Sequence, residues 1–305
     1  MNVRLVYGNH NCFGIHVADT LLLIQKVFEL AGCDATIEHN IAPGQVNVVL
    51  EGFDDRFASE TEQAMQRRGS RLIIVATEYL TGRTFNKFDG DTDESHYSKD
   101  AYWSDRFANF VELEKLSTAV WHLGETEVAP YREFLGHERV FYLPHFWADG
   151  LSRVQHAADT DKDIDFLFTG TETAYRRTLL NELMQKGYRV ETVSPVTASF
   201  HRENLLARSK LSLNIRQNAQ WQHPSPSRFF YHLINASLLI TEMCTNRADI
   251  QEHVLTAPAG KFIDFCEEQF LLGDFTNRAL SYLQNFRQKH PLREVAQRLV
   301  DATFS

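Results

Sequence analysis

The chain has 305 residues, 43% of them hydrophobic and 23% charged, enough apolar material for two cores of ordinary domain size. Its formal net charge of −9 argues against a non-specific nucleic-acid binder. No apolar run approaches the roughly 20 residues that span a bilayer, and the N-terminal "MNVRLVYGNHNC" lacks the basic and long apolar regions of a secretory signal, so a cytoplasmic globular protein without an integral membrane segment is expected. The cysteines, Cys12, Cys33, Cys244 and Cys266, have neither CxxC nor CxxH spacing and are expected as reduced, mostly buried thiols rather than zinc ligands or disulfides.

In chain order, "NVRLVYG" is a short apolar strand running through the polar "NHNCFG" into "IHVADTLLLIQKVFELAG", whose apolar spacing and terminal glycine predict a helix. Further strands are predicted at "VNVVLEGF", "RLIIVATEY", "TAVWHL" and "RVFYLPH", with a helix at "ASETEQAMQRRG". Strands with almost no polar alternation are buried on both faces, which means a parallel sheet covered by helices. Residues 1–148 therefore read as one Rossmann-like domain. A polar stretch without periodicity, 149–163, reads as a linker. The pattern then restarts over 164–276: strand "IDFLFTG", helix "YRRTLLNELMQKG", strand "YRVETV", helix "SFHRENLLARS", strand "KLSLNI", helix "PSRFFYHLINA", strand "LLIT", and a further candidate strand at "GKFIDF". Residues 277–305 read as helices, which in such an arrangement can cross back to the first domain. The expected fold is α/β, two Rossmann-like domains with a cleft between them lined by the loops at the C-terminal ends of both sheets.

Several side chains fall at those strand ends. Gly170 and Thr171 follow the first strand of the second half, where a glycine lets backbone approach a ligand. Arg176 and Arg177 open the next helix, and one of them is expected to reach a phosphate. Asn214, Arg216 and Gln217 close "KLSLNI". The loop "HPSPSR" is crowded with hydrogen-bond donors one helix before the buried strand "LLIT" and its carboxylate Glu242. In the first half, Glu78 ends a strand and is a candidate base or acceptor-hydroxyl ligand. The acidic loop "DGDTDESHYSKD" sets Asp89, Asp91, Asp93 and Asp100 at EF-hand spacing, but Glu94 stands where the required glycine belongs, which favours a solvated loop over a metal site. Phe85, Trp103, Phe107 and Phe110 are expected to pack beneath it.

The segments "DFLFTGTETAYRRTLLNELMQKGYRV", "ARSKLSLNIRQ" and "SPSRFFYHLINASLLITE", in that order and at those separations, resemble the nucleotide-sugar half of GT-B glycosyltransferases, most nearly the group-1 transferases related to spore-maturation glycosyltransferases. The likeness covers less than a third of the chain. It implies that the donor's phosphate lies against the loop and N-terminus of the helix that follows, contacted by Ser225, Ser227 and Arg228, because free backbone N–H groups and the helix dipole favour an anion there. It also implies donor contact at Gly170, Thr171, Arg176, Asn214 and Arg216, and a ribose contact at Glu242. Tyr231 departs from the pattern by standing where relatives carry Glu. "His223-Pro224" is similar to the His-Pro motif of sialyl- and Kdo-transferases that use CMP-sugars. Inverting members use a histidine near the first strand as general base, which points to His16 or His10, with Glu78 as the other candidate; Asn11 and Gly14 in the same loop would contact the acceptor.

The function so implied is transfer of a sugar from a UDP-, GDP-, dTDP- or CMP-sugar to a glycan or other hydroxyl acceptor, without a bound metal or other cofactor. A non-catalytic nucleotide- or glycan-binding module and a sugar-nucleotide epimerase remain open alternatives.

Overall fold

A computed structural model describes residues 1–51, 53–86, 100–194, 197–290 and 293–305, with the side chains of 11–17, 100 and 293 outside the description. The chain divides into two units, Met1–Pro144 with Pro291–Ser305, and His145–His290.

The first unit is built on six parallel strands: β1 (Asn2–Val6), β2 (Asp34–Glu38), β3 (Val46–Leu50), β4 (Arg71–Ala76), β5 (Ala119–His122) and β6 (Val140–Tyr142), in the order β2-β1-β3-β4-β5-β6. β3 and β5 are buried at every position, as their unbroken apolar runs require. β2, "DATIE", was not expected from the sequence; mostly exposed at the sheet edge, it carries no continuous apolar run. The helices are α1 (Gly14–Leu30), α2 (Asp55–Met65), α3 (Asp100–Glu114), α4 (Val128–Leu135) and, from the far end of the chain, α10 (Arg293–Phe304). Asp54 caps α2 by accepting from the Phe57 N–H at 2.8 Å. α10 packs on α1, and Trp121 Nε1 donates to Thr303 Oγ1 at 2.8 Å, so the C-terminal helix belongs to the first unit's core. Phe85, Trp103, Phe107 and Phe110 are buried together with Val49, Ile74 and Tyr131. The acidic loop holding Asp89, Asp91 and Asp93 lies outside the described residues.

The second unit holds β7 (Ile164–Thr169), α5 (Ala174–Gln185), β8 (Val190–Val193), α6 (Ser199–Ala207), β9 (Ser209–Asn214), α7 (Pro226–Ile234), β10 (Leu239–Glu242), β11 (Leu255–Ala257), α8 (Phe262–Leu272) and α9 (Phe275–Lys289). Its strands are parallel, in the order β11-β10-β9-β7-β8. The stretch "GKFIDF", expected as a strand, is instead the start of α8: Phe262, Ile263, Cys266 and Gln269 are its buried positions, the three-to-four spacing of a helix face. Four consecutive residues cannot show that period, and only the continuation to Leu272 reveals it. Residues 277–305, grouped as one tail by sequence, divide: α9 packs in the second unit and α10 in the first. Among the described residues no helix is long and apolar enough to cross a membrane, and Cys33, Cys244 and Cys266 are free thiols.

Each sheet changes direction once, between β1 and β3 in the first unit and between β7 and β9 in the second. In open α/β sheets, ligands bind beyond the strand ends at such a switch point.

Candidate functional site

At the second unit's switch point, β7 ends in Thr169 with Gly170 directly after it, β9 ends in Asn214, and α7 begins beside them. Gly170 has φ +150°, and a Cβ built there would lie 2.7 Å from Nη2 of Arg228. The glycine thus lets the guanidinium lie against backbone. Nη1 of Arg228 donates to Asn214 Oδ1, whose amide is held by donation to Thr241 Oγ1 at 2.8 Å. The Phe168 ring lies 5.9 Å away. No carboxylate pairs with Arg228 among the described residues. His232, one turn further along α7, is fully buried between Thr169 Oγ1 and Ser237 Oγ, each at 3.2 Å. Burial, and then the charges of Arg228 and Arg202, hold its pKa well below the ordinary value, so it is neutral. Burial also lowers the Arg228 guanidinium to about 10, leaving it charged at neutral pH. A desolvated cation without an anion is costly, and its surroundings supply only neutral and positive groups.

Ser225 and Ser227 flank Pro226 at the helix start. The Ser225 carbonyl accepts from the N–H groups of Arg228 and Phe229 at 3.1 and 3.0 Å, while neither serine hydroxyl makes a hydrogen bond to a described residue. Pro226 has no N–H to satisfy, a usual arrangement at the first helical position. His223, just upstream, accepts from Asn246 Nδ2 at 3.1 Å on Nδ1, and burial brings it down to about 4.

The other expected donor ligands separate into groups. Arg216 and Glu242 form an ion pair at 3.3 Å. Glu242 Oε1 also accepts from the Tyr175 hydroxyl at 2.7 Å, and Oε2 from the Arg216 N–H at 2.8 Å. Both Glu242 oxygens are therefore already engaged, and the Arg216 charge is spent within the protein. Arg176 is buried and points beneath the loops: its guanidinium donates to the carbonyls of Thr171 at 2.7 Å, Ile215 at 3.0 Å and Arg216 at 3.1 Å. It joins the edges of β7 and β9 instead of reaching out to a phosphate, because the helix it opens starts below both loops, with Thr173 as cap and as donor to Gln217 O at 2.7 Å. Tyr231 packs with Ile164, Leu167, Val193 and Leu206 under the Arg202 guanidinium, 4.1 Å from its ring, and is not gathered with Arg228.

In the first unit, Asn9 and His10 lie in the turn after β1; the side chains of Asn11, Gly14 and His16 lie outside the description. Glu78 is held by Arg106 at 2.7 Å and by Asn86 Nδ2, so its carboxylate is already engaged within the protein. Sequence reasoning passed over its neighbour Glu51, which follows β3 and is 2% exposed. Glu51 Oε1 accepts from the N–H groups of Thr77 and, at 2.6 Å, Glu78. Its Oε2 and the Oδ1 of Asn9 are buried without a hydrogen bond. Burial, then the Glu78 charge, pushes Glu51 up to about 8. The first unit's strand edge thus carries a carboxyl group that is largely neutral at pH 7.

No protein-family model matches the chain, and no curated protein matches it. Among solved structures, TarM superposes with a TM-score of 0.52 at 8% identity, covering 93% of this chain and 58% of TarM. The chain has the GT-B fold. It spans little more than half the length of that structure. A mutant of TarM from S. aureus in complex with Fondaparinux, alpha-GlcNAc-glycerol and UDP is similar at TM-score 0.49 and 11% identity, with 93% of this chain and 59% of that one covered. The lipopolysaccharide outer core galactosyltransferase WaaB, in its apo form, is similar at TM-score 0.44 and 8% identity, with 100% and 99% covered.

One consequence of the GT-B switch-point geometry is testable directly. Gly170→Ala forces a side chain into the left-handed region and against Arg228, and should lower stability by about 1–3 kcal/mol in urea denaturation. An unchanged midpoint would show that Arg228 can move aside freely.

Proposed function

We propose that this chain is a glycosyltransferase that binds a nucleotide-sugar at the β7–β9 edge of its second unit and transfers the sugar to a hydroxyl acceptor held by its first. The observation that carries this reading is Arg228: a partly buried, charged guanidinium lying on Gly170, without a carboxylate partner among the described residues, at the start of α7 and at the switch point of a parallel sheet. A phosphate dianion or diphosphate would supply the missing charge, with the unengaged hydroxyls of Ser225 and Ser227 as further donors. Because breaking the sugar–phosphate bond puts negative charge on the leaving phosphate, a preorganised cation stabilises the transition state more than the ground state. The reading therefore calls for no metal at the donor. Gly170 and Thr171 line the same edge. Arg176, Asn214, Arg216 and Glu242 then act by holding that edge in place, Asn214 through its bond to Arg228. Tyr231, in the core, is assigned no donor contact.

The motif likeness over 165–242 supports a donor of the UDP-, GDP-, dTDP- or CMP-sugar class, and His223-Pro224 keeps the CMP-sugar among them. For the acceptor proton, His16 and His10 are the candidate bases, with Asn11 and Gly14 beside them; Glu78 is the weaker candidate because Arg106 already engages it. The test is a thermal-shift panel of UDP, GDP, dTDP and CMP. One nucleotide should raise the melting midpoint, since binding to the native state alone stabilises it by linkage, and the corresponding sugar nucleotide should be consumed only in the presence of an acceptor. No shift with any of the four would overturn the donor assignment, and conversion of the sugar without an acceptor would replace transfer by epimerisation.

A further inference from the structure

A second cluster lies in the same unit and shares no residue with the Arg228 site. Glu252 and His253 stand in the short turn Gln251–His253 between β10 and β11, and His290 follows the end of α9, which packs on that turn. His253 is 2% exposed, yet both of its ring nitrogens lack a hydrogen-bond partner. A buried polar group left in this state is destabilising and calls for an explanation. Its Nε2 is 3.6 Å from Glu252 Oε1, too long for a hydrogen bond. The rings of His253 and His290 meet edge to face with centroids 5.1 Å apart, against the Phe286 ring that contacts both. Two imidazoles bound to one zinc at about 2.0–2.1 Å in tetrahedral geometry have their ring centroids about 5 Å apart. One ligand atom from each of Glu252, His253 and His290 lies within 4.8 Å of the others. Lys289 Nζ holds Glu252 Oε2 at 3.0 Å, which leaves Oε1 as the oxygen turned to His253.

We propose that Glu252, His253 and His290 form a binding site for a divalent transition cation, Zn²⁺ in the first instance, with a fourth position open to water. Two imidazoles and one carboxylate suit zinc, whereas magnesium and calcium take oxygen ligands. A cation there would join the β10–β11 turn to the end of α9 and stabilise the second unit.

The test uses the untagged full chain stripped with EDTA and titrated with ZnCl₂ alone, bound metal being counted after equilibrium dialysis and the melting midpoint followed in parallel. One zinc per chain and a raised midpoint are expected, with tetrahedral d–d bands when Co²⁺ is substituted. His290→Ala and Glu252→Gln should each weaken zinc binding by about tenfold or more. Both positions are at least partly exposed, so these variants carry the test even where His253→Ala fails to fold. Absence of zinc binding at micromolar free metal, or equal affinity in the wild type and His290→Ala, would overturn the proposal. Neither result touches the nucleotide-sugar reading, which is measured with a different ligand at different residues.

Discussion

Arg228→Ala should weaken binding of the nucleotide identified by the thermal-shift panel by about 10- to 100-fold, the effect of removing a charge-assisted contact worth on the order of 1.5–3 kcal/mol. The apo protein should melt close to wild type. An arginine in a buried ion pair would leave an orphaned acid behind, costing several kcal/mol, but Arg228 has no acid partner among the described residues. Its removal relieves the desolvation of an uncompensated cation and leaves only Asn214 Oδ1 short of a donor. These two changes oppose one another. Arg228→Lys retains the charge but not the planar fork, and should fall between the two in affinity. Calorimetric titration together with melting of the apo variants decides the matter: wild-type affinity in Arg228→Ala would remove the phosphate role.

The second large effect is on pH dependence. Glu51 sits at about 8 in the folded chain against an ordinary value near 4.5. Between those values the folded state holds a proton that the unfolded state has released, so stability falls as pH rises and the slope vanishes above about 8. The contribution is fully present below 4.5 and lost through the folded value, a change on the order of a few kcal/mol. His122, lowered to about 4 by burial, acts in the opposite sense. Its unfolded form takes up a proton below about 6.5, so its contribution is lost as pH falls. His156, His223, His232, His253 and His290, all lowered by burial, act as His122 does, so Glu51 is isolated in the difference between the wild type and Glu51→Gln. From about pH 6.5 to 8 the stability of the wild type relative to Glu51→Gln should decline by up to about 1.4 kcal/mol per pH unit. Parallel curves for the two proteins would show that Glu51 is not protonated in the native state.

Much of the fold was legible along the chain. "VNVVL" and "RLIIVA" have no polar alternation, and a strand of that composition can only be buried on both faces. Ser225, Ser227 and Arg228 stand ahead of a buried helix and strand as the sequence indicates, and what lies close to the backbone at Gly170 is the Arg228 guanidinium. What escaped was weak in local signal. β2 and β11 are short edge strands with mixed composition, and the apolar start of α8 has the same four-residue signature as a strand. Glu51 gave no sign of its state either: a glutamate after a strand is common, and only the folding of β3 beside β4 places it against the Thr77 and Glu78 N–H groups and next to a second carboxylate.

The arginines show where sequence stops. Arg176, Arg216 and Arg228 are the same residue type, each within a few positions of the same sheet edge, and the family resemblance implies donor contact for all three. By itself the sequence determined that the cations converge on this edge, because the βα alternation fixes which strand ends they follow. Tertiary structure alone decided which of these guanidinium groups is left without a carboxylate or backbone carbonyl partner among the described residues. A charge's partner is set by distance in space: Arg216 meets Glu242 across 26 residues of chain, Arg176 is turned under the loops onto three carbonyls, and Arg228, laid against a glycine, meets an amide oxygen and no carboxylate.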